Sequence, residues 1–412
     1  MATMNGNIYW LLIGPQTVPS SRIHGYNLHK FLRSRGWNSR VLFGPLEWSA
    51  DLPPIYADPG VGDIFTSYDV VIVQKLSGPN TIAFLDTLKQ KGISTIFVDC
   101  DLPLKLECAA KALRVVCTSR WLCNKYSNAG IRQTVFISDA VEWQIPPRFG
   151  LRNSMQLRAV WFGIGHQDNW ELVENLRHLI SERSRWQLVT VSNHPNSDVK
   201  WRLNRAARDI ASCDVAVFPS RDDELHYAKS SNRVVQAMAL GLPVIAHPLP
   251  SYQEVVRDGW NGFLCRSDQE WLKALEQLED PKLRMILAAN AYEYALSKYS
   301  INVIGRQWEN LFRSLIGGET LDKHTFITFP QFAYRRVSAR AYVQMAQSQN
   351  ASACNKTRYI LKAMTEWPFQ ASVGYTDLIK GIYIQVKAYA LRATNYVVTI
   401  LRKLFYIDHN RG

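Results

Sequence analysis

Between Lys229 and Gln236 the chain sets two basic side chains around what should be the start of a helix. The run Lys229-Ser230-Ser231-Asn232-Arg233-Val234-Val235-Gln236 leads through Ala237-Met238-Ala239 to a stop at Gly241, and Pro243-Val244-Ile245-Ala246 then reads as a strand. A helix N-terminus offers free N–H groups and a partial positive charge. A diphosphate at Ser231 and Asn232, flanked by Lys229 and Arg233, is therefore stabilised there. Gln236, one turn further in, is placed to hydrogen-bond a ribose hydroxyl. A second phosphate-compatible turn is Gly163-Ile164-Gly165-His166, where glycine lets backbone amides approach an anion closely. With Asp168 in the third glycine position this turn is not a dinucleotide fingerprint. Ser20 or Ser21 should cap a helix whose first turn carries Arg22 and His24. Asp99 and Asp101, two apart at the end of an extended run, should point to one side, where one carboxyl can raise the other's pKa into a range useful for a general base.

The elements that must hold these groups alternate short apolar runs with helical patterns, the mark of parallel sheets covered by helices. In the first half the strands read as Ile8 to Ile13, Arg40 to Phe43, Asp69 to Val73, Thr95 to Val98 and Val115 to Cys117, with a helix from Arg22 to Arg35 closed by Gly36. Pro146-Pro147-Arg148-Phe149-Gly150 carries breakers and no periodicity, so the linker between domains is placed at 146–155. A second series follows, with strands at Ala159 to Phe162, Gln187 to Val191, Val215 to Phe218 and Pro243 to Ala246. The expected architecture is α/β: a Rossmann-like domain over 1–145, a second over 156–318, and an extension over 319–412. Two such halves bind a ligand between them, at the carboxyl ends of both sheets. Arg22 and His24 would face that cleft from the first domain.

At this point the residues resemble a known family. Arg233 to Asp258, with Ala237-Met238-Ala239, Gly241-x-Pro243-Val244 and then Glu254-Val255-Val256-Arg257-Asp258-Gly259-x-Asn261-Gly262, resembles the donor-binding domain of family 4 glycosyltransferases. Ile210 to Ser220, Asp280-Pro281-x-Leu283-Arg284 and the helix around Ile304 to Leu315 extend the likeness; Val135 to Glu142 carries it more weakly. The resemblance implies a GT-B fold and a nucleotide-diphosphate sugar held in the cleft. It further implies transfer to an acceptor hydroxyl with retained configuration, and no metal or other cofactor. It puts the Arg22 loop near phosphates and acceptor, and the Gly163 turn at the diphosphate. The sequence departs from the family at its two glutamates, which have seven residues between them: Ala228 stands at the first position and Gln236 at the second. Sugar recognition would then fall to Glu224 or His226. Asp99-Cys100-Asp101 spells the D-x-D that holds a metal in the other large glycosyltransferase fold, but a two-domain organisation assigns these residues to an acceptor hydroxyl instead. Without the glutamates, a sugar-nucleotide binding or scaffold subunit, or an epimerase of the same fold, are the alternatives.

Composition narrows the setting. The seven cysteines never form C-x-x-C, so a disulfide framework or a zinc site is not indicated and reduced thiols in a cytosol are expected. The apolar run Ile8 to Ile13 lacks a preceding basic region, which does not fit a signal peptide, and no spanning segment follows. Of the +13 net charge, the greater part belongs to 319–412, with 13 Lys and Arg against 5 Asp and Glu. In that extension Ile379, Ile382, Val386, Ala390, Ala393, Val397, Ile400 and Leu404 draw one apolar stripe, with Lys380, Lys387, Arg392, Arg402 and Lys403 on the opposite arc. A basic amphipathic helix over 378–406 suits an anionic membrane surface or a dimer seam. Nucleic acid is disfavoured because the charge lies on an apolar-striped helix with no nucleic-acid motif.

Overall fold

The computed structural model describes residues 6–143, 155–182, 185–316, 331–348 and 351–366, with 145 and 147. Two six-stranded sheets, parallel throughout, form the frame. The first contains β1 (Asn7–Leu12), β2 (Asn38–Phe43), β3 (Val70–Gln74), β4 (Ser94–Asp99), β5 (Arg114–Cys117) and β6 (Thr134–Phe136), in the order β2-β1-β3-β4-β5-β6. The second contains β7 (Leu157–Gly163), β8 (Trp186–Ser192), β9 (Val199–Lys200), β10 (Val215–Phe218), β11 (Val244–Ala246) and β12 (Gly262–Leu264), in the order β12-β11-β10-β7-β8-β9. The strand order reverses beside β1 in one sheet and beside β7 in the other. Crevices therefore open past the carboxyl ends of β1 and β3, and of β7 and β10, where open α/β sheets bind ligands. The chain has the GT-B architecture.

The strands form because both faces of each sheet are covered, so near-continuous apolar runs are buried rather than alternating with polar residues. Along β1, Tyr9 and Leu11 enter one core while Ile8, Trp10 and Leu12 enter the other. That second core is closed by a helix that follows the second domain in sequence. Ile301–Ile316 crosses back onto the first domain and packs Ile304, Trp308 and Phe312 against Ile8, Trp10 and Phe31. Gly305 makes the approach possible, since a Cβ there would stand 2.2 Å from Phe31 Cε1. Where the helix leaves the second domain, Tyr299 C=O accepts a hydrogen bond from Val141 N–H at 2.8 Å, so the two chain crossings between domains lie side by side.

The beginning of the extension belongs to the first domain's core. Helices Gln331–Gln347 and Ala353–Glu366 lie on the face opposite the closing helix, with Tyr334 stacked on Tyr9 at 4.7 Å and Tyr342 on Phe43 at 6.3 Å between ring centroids. Their polar ends are used as well: Ser338 Oγ donates to Leu42 C=O at 2.9 Å and Tyr359 Oη accepts from Leu46 N–H at 2.8 Å. The stripe expected at 378–406 and most of the linker expected at 146–155 lie outside the described residues, and Val141, before that linker, already enters the second domain's core. No described helix is long and apolar enough to cross a membrane.

Candidate active site

On the second-domain side of the cleft, Asn232–Ala239 buries Val234, Val235, Ala237 and Met238, while Asn232 and Arg233 at its N-terminus are half-buried. Its first backbone hydrogen bond runs from Val235 N–H to Ser231 C=O. Arg233 leans over the turn after β7. Its guanidinium lies 5.5 Å from the Phe218 ring and 5.9 Å from the Trp161 ring, and a Cβ on Gly163 would stand 3.3 Å from Arg233 Nη1. Its Nη2 donates to Tyr252 Oη at 3.3 Å, and no carboxylate pairs with it among the described residues. A cation on an aromatic floor, without a counter-charge, is well suited to an anionic ligand. Gly165 serves a different end from the one its sequence suggests: its N–H donates to Asn193 Oδ1 at 2.8 Å, and a Cβ would lie 2.4 Å from His194 Cβ. It allows the turn to pack on the residues after β8, and its amide is not free for phosphate.

Ser231 is buried without a capping bond; its neighbour Ser230 reaches across to Asp139 instead. Asn232 Oδ1 accepts from Gln236 Nε2 at 3.0 Å. Lys229 Nζ contacts Asp101 Oδ1 at 2.5 Å, and Lys75 holds the other carboxylate oxygen. One lysine comes from each domain, and the carboxylate lies between them.

Asp99 and Asp101 do not act as a pair. Asp99, the last residue of β4, is fully buried on the face covered by helix Arg120–Asn128, where it accepts from Tyr126 Oη at 2.6 Å and meets Lys105 Nζ at 3.0 Å. Burial pushes its carboxyl up, against Lys105 and Tyr126, but it is sealed from the cleft. Asp101 lies past the strand end and faces the cleft. Burial acts to raise its pKa, yet Lys75 and Lys229 outweigh it and hold the carboxyl well below the ordinary range. A carboxylate so stabilised is a weak base.

Arg22 and His24 are likewise committed. Arg22 makes a two-pronged contact with Glu142, at 2.5 and 3.1 Å, and donates to Gln16 C=O at 2.9 Å; His24 Nε2 pairs with Asp139. Both arise from a π-helical stretch, Arg22–Tyr26, between Pro19–Ser21 and Asn27–Ser34, a distortion frequent at functional positions. Glu224 pairs with Lys125 across the interdomain seam at 2.5 Å, and His226 Nδ1 is held by Asp223 at 2.7 Å, so both expected sugar contacts have partners within the protein. Ala228 is fully buried on the same seam, its C=O accepting from Ser119 Oγ at 2.9 Å. Gln236 is also spent, on the segment that joins the domains: its Nε2 donates to Ala140 C=O at 3.0 Å and its Oε1 accepts from Glu142 N–H at 2.9 Å. The ribose contact expected of it is not available in this arrangement.

Lys75 is the cleft residue that the sequence pattern does not single out. It follows β3 at the switch point, and its φ of 62° is the one left-handed value among non-glycine residues in the described chain. Such a conformation in a bulky residue is costly and clusters at functional sites. The available signal was a basic residue at the carboxyl end of an apolar strand.

Comparison with known proteins bears on the fold and on the second domain. Residues 170–280 match the family described as glycosyl transferases group 1. The α-D-kanosaminyltransferase of Streptomyces kanamyceticus is 29% identical over 109 residues, which is 26% of this chain and 27% of that protein, so the likeness spans about a quarter of the relative. Among solved structures, sucrose-phosphate synthase from Thermosynechococcus elongatus superposes with a TM-score of 0.58 at 15% identity, covering 76% of this chain and all of that one (100%). A glycosyltransferase from Rickettsia africae gives 0.56 at 12% identity over 77% of this chain and 100% of its own. The fold is that of the GT-B glycosyltransferases, and the match to glycosyl transferases group 1 lies within the second domain, over residues 170–280.

Proposed function

We propose that the protein is a glycosyltransferase that moves a sugar from a nucleotide-diphosphate donor to an acceptor hydroxyl. The observation that carries this reading is Arg233, a cation with no carboxylate partner among the described residues, at a helix N-terminus over the Gly163 turn, with Lys229 beside it. Cleaving a sugar from a nucleoside diphosphate places new negative charge on the departing phosphate. Preorganised N–H groups and cations contribute most where such charge develops. Asp99 is sealed away and Asp101 is a weak base, which disfavours direct inversion driven by either and supports transfer with retained configuration. Both carboxylates of the D-x-D face lysines, which supports a reaction without a metal cofactor. The acceptor is a glycan or lipid-linked glycan, as in polysaccharide or glycolipid synthesis; the stripe at 378–406, if it binds an anionic membrane face, would bring the enzyme to such an acceptor.

Incubation with labelled nucleotide sugars tests the proposal. Transfer, or slow hydrolysis, releases free nucleoside diphosphate. Tight binding with no release under any acceptor would make the protein a sugar-nucleotide binding subunit. A thermal-shift screen with UDP, GDP, ADP and CDP finds the base first, since a ligand at a hundred times its Kd adds about 2.7 kcal/mol to stability.

A further inference from the structure

Residues 139–142 cross between the domains and are gripped from both sides. From the first domain, His24 holds Asp139 and Arg22 holds Glu142. From the second, Ser230 reaches the other oxygen of Asp139, and Gln236 bonds the backbone at Ala140 and Glu142. Gln236 is 1% exposed. It meets the crossing much as a neighbouring strand would, with one donor for a carbonyl and one acceptor for an amide two residues on. A carboxamide carries both kinds of group, whereas an ionised carboxylate accepts only. Glutamate here would set an oxygen against Ala140 C=O and bury a charge in a closed site, which is costly. That is a physical reason for an amide at this position.

We propose that Gln236 is a positioning residue that fastens the donor-side helix to the interdomain crossing, and that it is not a ligand of the donor ribose. Through this joint the helix bearing Arg233, the crossing, and the π-helical turn bearing Arg22 and His24 move as one unit. The fastening itself does not depend on the transfer reaction; the ribose part rests on the reading of the cleft as a nucleotide site.

The test compares wild type, Gln236→Met and Gln236→Glu by hydrogen exchange of the backbone amide of Glu142 without ligand. In wild type this amide should be protected. In Gln236→Met, which keeps the side chain's bulk and loses both bonds, exchange should rise about tenfold or more, the ratio for about 1.4 kcal/mol. Gln236→Glu keeps an acceptor for the amide, so exchange should rise less there, while the thermal midpoint falls through the strained Ala140 contact. A Glu142 amide exchanging at its intrinsic rate in wild type overturns the joint without recourse to any variant. The second arm measures Kd for UDP, GDP or ADP, whichever binds, against its 2′-deoxy and 3′-deoxy forms. The ratios should be the same in wild type and Gln236→Met; a ratio that collapses toward one in the variant assigns Gln236 to the ribose and refutes the proposal. If none of the three nucleotides binds, the nucleotide-site reading fails, while the exchange result still decides the joint.

Discussion

Asp101→Asn should make the protein less stable and, at the same time, a better binder of nucleoside diphosphate. The carboxylate lies between Lys75, whose side chain is 16% exposed, and Lys229, at 49%, and is itself 25% exposed. The Lys229 contact is half in solvent and contributes no more than about 1 kcal/mol. The Lys75 contact is more enclosed, and removing its partner leaves a mostly buried cation unpaired, for which about 3 kcal/mol is the low end of the buried range. Partial exposure reduces this, so the combined loss should be about 2–3 kcal/mol. In exchange, Lys229 is released from its internal anion and the cleft gains one unit of positive charge, worth about 1–2 kcal/mol to a bound diphosphate, or roughly 5- to 30-fold in Kd. The pH dependence has a definite sign. Because the folded-state pKa of Asp101 lies below its unfolded value of about 3.9, its contribution is fully present above that value and is lost as pH falls through and beneath it. Denaturant midpoints between pH 3 and 7, with nucleotide titrations at pH 7, measure both effects. An Asp101→Asn protein of unchanged stability would remove the ion pairs, and an unchanged or weaker Kd for the diphosphate would remove Lys229 from the phosphate site.

Arg233→Ala should weaken nucleoside diphosphate binding by roughly 1.5–3 kcal/mol, as charge-assisted contacts do, and leave nucleoside binding almost unchanged; equal losses for both ligands, by calorimetry, would place Arg233 elsewhere. Transfer activity should survive EDTA, and full loss restored by manganese would show Asp99-Cys100-Asp101 acting as a metal site despite its lysine partners. Truncation at residue 370 should leave nucleotide binding intact and release the protein from vesicles containing anionic lipid, with full-length attachment weakening as salt rises, at about 1 kcal/mol for each of the basic residues from Lys380 to Lys403. A full-length protein that ignores such vesicles would instead leave the stripe as a core or dimer face.

The two sheets could be read from sequence because their strands are buried on both sides and appear as unbroken apolar runs, such as Val70 to Val73. The short strands β9 and β12 carry too few residues for any period to show, and only pairing with β8 and β11 makes them strands. The extension illustrates a different limit. Tyr334, Tyr342 and Tyr359 look like unremarkable aromatics in a polar stretch until Tyr9, Phe43 and the amide of Leu46 are brought beneath them, and nothing in local spacing records contacts made across some 300 residues.

Within the site, local rules failed where the chain left regular structure. Alternation along a strand puts residues two apart on one side, but β4 ends at Asp99, so the rule does not extend to Asp101. The helix-start pattern did bring Lys229, Arg233 and the Gly163 turn to the cleft. It could not show that the neighbouring polar groups were already claimed, because their partners come from another part of the chain: Arg22 and His24 by residues 139–142, Ser230 and Gln236 by the same four. A motif gives the type of group available; a fold decides whether that group is free. By that measure Arg233 is the residue on which a phosphate can act without first displacing a partner carboxylate, whereas Lys229 must give up Asp101, which is why the two substitutions Arg233→Ala and Asp101→Asn should move diphosphate affinity in opposite directions.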